Sequence, residues 1–151
     1  MPCPLGSGLD ERERIYELQL MQSDVRIPAQ ARVLVQDWTE GERRHRPCTV
    51  TLSWNERSVS RTAHSVYHAL RDVRALLEPE GIVLDCYGSC PDVLVSGMLI
   101  DMGDGTLAYR MSRASSNDRP PTVNIFETEP GLQLGSVAEQ DTYRDNLVKA
   151  R

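Results

Sequence analysis

Between Cys48 and Leu77 the spacing of apolar residues changes period, and this change restricts the possible folds more than any other feature of the chain. From Cys48 to Trp54 (CTVTLSW), Cys48, Val50, Leu52 and Trp54 alternate with Thr49, Thr51 and Ser53, the period of two expected of a strand with one buried face. From Val66 the apolar positions step to Leu70, Val73 and Leu77, with Ala69 and Leu76 widening the stripe, which is helical spacing. Thr62 is placed to cap that helix and Pro79 and Gly81 to end it, so a helix is expected from Thr62 to Glu78. A one-sided sheet and a one-sided helix cover each other most simply when one lies on the other. The expected fold class is therefore α+β: a single domain with a mainly antiparallel sheet, one long helix on a face and a C-terminal helix closing an edge.

The flanking sequence fills in this plan. Asp10 to Met21 reads as a short helix or as a strand with Ile15, Glu17 and Gln19 outward against Tyr16, Leu18 and Leu20, and the alternation favours the strand. Pro28 is expected to close that segment before a second strand at Ala31 to Trp38, which pairs with Cys48 to Trp54 as an antiparallel hairpin across a polar turn at Thr39 to Pro47. Ser58 to Ser60, after the Asn55-Glu56 turn, is a third strand, and Ile82 to Tyr87 is expected to be a central strand beside the hairpin. Further strands are expected at Thr106 to Met111 and Thr122 to Glu127, with a single helical turn within Val93 to Met102. Ser136-Val-Ala-Glu139 is a capping box for a last helix running to about Lys149. Residues 1–9, rich in Pro and Gly, are expected to be a flexible tail, residues 10–151 one domain, and Ser112 to Pro121 a mobile loop.

Charge and composition narrow the function. A formal net charge of −5, with Lys149 as the single lysine, argues against a general nucleic-acid binder, which needs a surplus of cations to neutralise phosphates. The local run Arg43-Arg44-His45-Arg46 follows two glutamates and suits a hairpin tip. No window approaches the ~20 apolar residues of a membrane span, and the start of the chain lacks a basic segment followed by an apolar one, so a cytoplasmic protein with no membrane partner is expected. In that compartment Cys3, Cys48, Cys86 and Cys90 are expected to be reduced.

The stretch from Asp85 to Met111 (DCYGSCPDVLVSGMLIDMGDGTLAYRM) concentrates two cysteines and four glycines, yet spells out no reaction. His64 and His68 stand four apart on the helix, but Ser65 occupies the place that Glu takes in HExxH, and both fall opposite the apolar stripe. Cys86 and Cys90 form CxxxC rather than paired CxxC, leaving Cys86 as a small buried hydrophobe and Cys90 as a loop residue, with a reversible disulfide as the alternative. Neither Ser89 nor Ser96 lies in GxSxG, and the glycines match no phosphate-cradle pattern. Asp85, Asp92, Asp101 and Asp104 do not follow the calcium-loop order, and turn chemistry accounts for most of them. No cofactor or metal is expected.

Tyr87-Gly88-Ser89, Ser96-Gly97-Met98, Asp101-Met102-Gly103, Gly105 and Ala108-Tyr109, followed by Asn124-Ile125-Phe126 and Ser136-Val137-Ala138-Glu139-Gln140, occur in this order over about the last half of the chain. In this the sequence resembles a family of small uncharacterised bacterial proteins with a YG(S/A)…SGM…DMG.G..AY core and a later DIF…VAEQ segment. Here Val95 stands where the family more often has Pro, and Asn124 where it has Asp. In size, acidity and lack of catalytic motifs the chain is also similar to immunity proteins that protect bacteria from antibacterial toxins. That likeness implies a non-catalytic binding protein that occludes the active site of a cognate toxin or engages another protein partner. The loops of the central stretch are the expected contact surface, with Asp92, Asp101 and Asp104 as partner-binding residues. The alternative is a small enzyme or ligand-binding module with a pocket under the same stretch, using Ser89, Cys90, Asp101 and Tyr109.

Overall fold

The computed structural model describes residues 9–113 and 119–149; the expected tail up to Gly8 and the middle of the expected loop lie outside them. The fold is α+β. Strands β1 (Asp10–Gln22) and β2 (Val25–Glu40) form a long antiparallel hairpin, closed by Ser23 and Asp24 in the left-handed conformation (φ 49° and 64°) that a tight two-residue turn requires. β2 continues through a tip at Gly41 to β3 (Arg43–His45) and pairs on its other edge with β4 (Cys48–Trp54). β5 (Arg57–Ala63) returns beside β4 after a second left-handed turn, Asn55-Glu56. With β6 (Val83–Asp85) the main sheet has the path β5-β4-β2-β1-β6.

Helix α1 (Val66–Leu77) crosses the inner face of this sheet, burying Val66, Ala69, Leu70, Val73 and Leu77 against a core that includes Val33, Val50, Leu52 and Leu84. Each large aliphatic side chain so buried contributes about 1.5–3 kcal/mol, more than helix propensity supplies. A second antiparallel sheet, β7 (Val93–Leu94), β8 (Leu107–Arg110) and β9 (Thr122–Asn124), shares that core through Val93 and Ala108, with Ile125 buried just past β9. The short helix α2 (Gly97–Gly103) joins β7 to β8, and α3 (Val137–Lys149) ends the described chain. The capping box forms: the Glu139 amide donates to Ser136 Oγ and the Ser136 amide to Glu139 Oε1, both at 3.0 Å.

Several expectations need correction. Pro28 does not close a segment but lies inside β2, because the β4 ladder begins at Gln30 and no third strand needs an N–H at Pro28. Thr62 belongs to β5, opposite Thr49; the helix is capped by Ser65, whose Oγ accepts from the His68 amide at 3.0 Å. Leu76 points to solvent (38% exposed) because it falls outside the arc that faces the sheet. The expected central strand after the helix is three residues long and sits at the sheet's edge, paired among the described residues with β1 alone. The expected Thr122 to Glu127 strand stops at Asn124, whose side chain takes the Phe126 amide at 2.9 Å in a turn.

Candidate functional site

The Asp85 to Met111 stretch wraps the end of α1 and presents one short helix to solvent. Its inner turn is built on Asp104, left-handed at φ 60°, and Gly105 at φ 86°. The Asp104 carbonyl accepts from the first amide of α1, Val66 N, at 2.8 Å. Its Oδ1 accepts from Thr106 N (3.1 Å) and Thr106 Oγ1 (2.5 Å), while Oδ2 takes Arg14 Nη2 at 3.1 Å. A Cβ on Gly105 would stand 3.1 Å from that of Ser65, so the glycine also permits the close approach to the cap of α1. Asp104 is 1% exposed with its carboxylate fully engaged; it supports the surface from below.

A second buried polar cluster joins α1, the Tyr87–Ser89 turn and α3. Arg74, 3% exposed, donates from Nη1 to Gly88 O (2.7 Å) and Gln140 Oε1 (2.9 Å) and from Nη2 to Gly135 O (3.2 Å). The Gln140 amide nitrogen donates to Cys90 O (2.9 Å), Val93 O (3.0 Å) and Gly88 O (3.3 Å), and Tyr67 Oη donates to Val93 O at 2.8 Å. Burial pushes the Tyr67 phenol up to about 12, so it remains a donor at neutral pH. The glycines here are sites of close packing: a Cβ on Gly88 would meet Leu70 Cδ2 at 2.7 Å, and one on Gly135 would meet Pro91 Cγ at 2.5 Å. Tyr87-Gly88-Ser89 and Val137-Ala138-Glu139-Gln140, which read in sequence as a motif of unstated purpose, thus meet as a staple of the fold.

Asp92 lines a cleft of about 810 Å³ together with Cys90, Arg110, Ser112, Glu139 and Tyr143. Its Oδ2 accepts from Ser112 Oγ and stands 3.8 Å from Arg110 Nε, while Arg110 also pairs with Glu129 and stacks on the Tyr87 ring. Cys90 borders the cleft, but burial pushes its thiol up to about 12, and Asp92 and Cys86 add to the shift. Such a thiol carries almost no thiolate at neutral pH. Cys86 is likewise raised by burial, and both are free thiols. Ser89 is fully buried, and Tyr109 lines a different cavity. The four residues of the ligand-pocket alternative therefore face different surroundings. On α1, His68 Nδ1 lies 2.6 Å from Ser65 Oγ and its ring 4.3 Å from that of His64, an arrangement in which the hydroxyl that caps the helix also engages the imidazole.

The outward surface of the stretch is α2. Ser96 caps it, accepting from Leu99 N at 3.2 Å, and Arg46 Nη2 donates to Ile100 O at 2.6 Å, tying the helix to the β3–β4 connection. The backbone is thus held, yet none of its seven residues is buried although four are large and apolar. Met98 is 46% and Met102 78% exposed. They are four residues apart and so share one side of the helix, with Asp101, also exposed, beside them. Met98 borders a groove of about 520 Å³ lined by Val95, Tyr109, Met111, Leu147 and Val148, with Arg144 of α3 at its side. Of the three expected contact carboxylates, Asp101 stands on this surface, Asp92 in the cleft and Asp104 in the interior. The methionines escaped the sequence reading because an apolar turn between Ser and Asp looks like core; their exposure depends on what packs around them.

No protein-family model matches the sequence, and no curated protein matches it.

Proposed function

We propose that the protein acts by binding another protein through α2 and the adjoining groove, without chemistry of its own. The observation that carries this reading is the display of Met98 and Met102 on a helix capped by Ser96 and tied to Arg46 through the Ile100 carbonyl. Large apolar side chains held in water favour burial by a partner, at about 25 cal/mol per Å² covered, and the flexible thioether adapts to the surface it meets. The occupant that fits is an apolar side chain of a partner protein seated in the groove, with Asp101 and Arg144 at the margin to orient it by charge. In its specific form the reading is a cytoplasmic immunity protein that covers the active site of a cognate toxin. A net charge of −5 supports it by favouring approach to a basic substrate cleft.

The test is affinity capture from the native cell with the wild-type chain and with M98D/M102D, followed by growth protection against the captured protein. Wild type retains a partner in 1:1 ratio and protects cells that express it, while the double variant, folded by circular dichroism, does neither. Equal retention by both chains refutes the α2 surface. A partner that is retained but whose toxicity is unaffected refutes the immunity role alone.

A further inference from the structure

The main sheet has two open edges, and their side chains differ in what they admit. Among the described residues β5 pairs with β4 alone, leaving one side of Arg57–Ala63 without a backbone partner. β1 is likewise unpaired on its β6 side from Asp10 to Leu18, since that ladder covers only Gln19 to Met21. An open edge offers a row of N–H and C=O groups to any extended chain, so its side chains decide what pairs there.

We propose that β5 is a self-association edge, at which two copies of this chain join antiparallel about a two-fold axis through Ser60, in an interaction independent of the partner surface proposed above. A two-fold perpendicular to a sheet keeps each face on its own side, so only residues of like parity oppose each other, and the axis can pass through either type of antiparallel pair. With the axis at Ser60, Ser58 faces the second copy's Thr62, Val59 its Arg61 and Arg57 its Ala63. All seven residues of the strand pair, and no two charges of one sign are opposite. Moving the axis to Val59 sets Arg57 against Arg61, and moving it to Arg61 sets that arginine against its own copy. Axes further out pair only part of the strand.

The outer row suits the join. Ser60 and Thr62 already bond across to Thr51 and Thr49, at 2.9 and 2.8 Å, so the dimer continues a ladder of small hydroxyl side chains over the new seam. β1 behaves in the opposite way. Its outer row is Glu11, Glu13, Ile15 and Glu17, and each antiparallel self-pairing of comparable length places Glu opposite Glu. That edge rejects a second copy, and the β5 edge accepts one. Seven residues a side make a small interface, so the dimer is concentration-dependent.

The experiment uses the full chain in a Cys3→Ser background, so that the remaining native cysteines are the buried ones. Ser60→Cys is expected to form an inter-chain disulfide on mild oxidation, because directly opposed Cβ atoms lie about 4.5–5.5 Å apart, near disulfide reach. Ser58→Cys, which faces Thr62 of the second copy, is not. In sedimentation velocity the parent dimerises as concentration rises into the high-micromolar range. Ser60→Lys, exposed and placing two ammonium groups on the axis, stays monomeric with unchanged circular dichroism. A parent that remains monomeric together with no excess cross-linking of Ser60→Cys over Ser58→Cys overturns the proposal, and so does a dimer that Ser60→Lys leaves intact.

Discussion

Gln140→Ala removes the side chain that fastens α3 to the rest of the molecule. Gln140 is 2% exposed and accepts one bond from the Arg74 guanidinium while donating to three backbone carbonyls. Those carbonyls are not orphaned by the change: Gly88 O keeps Arg74, Val93 O keeps Tyr67, and Cys90 O keeps the Val93 amide at 3.1 Å. The cost is therefore one bond to a charged group, about 1.5–3 kcal/mol, plus about 1 kcal/mol for each of the two shorter neutral bonds, roughly 3.5–5 kcal/mol in all. For a domain whose total stability is about 5–15 kcal/mol this is a large share, and it lowers the melting temperature by roughly 10 °C or more. Urea unfolding followed by circular dichroism measures it, with Arg74→Met and the double variant completing a cycle. Arg74→Met is informative because it removes the buried charge together with its bonds, whereas Gln140→Ala leaves the charge in place with one acceptor fewer. The expected coupling is at least about 1.5 kcal/mol. A cost below about 1 kcal/mol for Gln140→Ala, or a coupling near zero, would refute the view that this cluster holds α3 in place.

Three further outcomes follow from the same geometry. Gly135→Ala is expected to destabilise by about 1–3 kcal/mol, because its Cβ meets the stiff ring of Pro91 at 2.5 Å, whereas Gly97→Ala, with open space around it, is neutral or stabilising by up to about 1 kcal/mol; equal effects in urea unfolding would contradict the packing argument. In a Cys3→Ser background the native protein is expected to resist iodoacetamide at mildly alkaline pH. Burial pushes Cys48 up to about 11 and Cys90 up to about 12, and raises Cys86, so mass spectrometry should find label only after unfolding. Burial, aided by His64 and Arg71, lowers the pKa of His68 in the folded state; between that lowered value and its ordinary ~6.5 the unfolded chain binds the extra proton. Stability therefore falls as pH drops through this window, and His68→Gln should flatten that part of the pH profile of urea unfolding.

The elements that sequence made plain are those whose pattern repeats over several residues. Cys48 to Trp54 is a strand over the expected residues, and Val66, Leu70, Val73 and Leu77 all face the core, because a period of two or 3.6 reports burial without reference to the rest of the chain. The capping box at Ser136 was equally legible, since its two bonds join residues three apart. Legibility fails where a residue's partner is distant. Turn chemistry was a sufficient reading of Asp104 from its neighbours, but nothing nearby announced that its carboxylate would be taken by Arg14, ninety positions earlier. Ser65 outcompeted Thr62 as the helix cap because Thr62 was drawn into a ladder with Thr49, a choice made by the neighbouring strand.

By itself, the order of residues determined the fold class, the identity of the main helix and of the β4 strand, and the turn at Asn55-Glu56, because each depends on backbone conformation and on apolar spacing within a single segment. Only the tertiary structure decided that Asp104 and Gln140 are interior fasteners, that Met98 and Met102 face water, and that among the described residues β5 ends the sheet with an unpaired side. Those outcomes are set by which surfaces meet when the segments pack, and burial of a side chain belongs to the assembled core before it belongs to the residue.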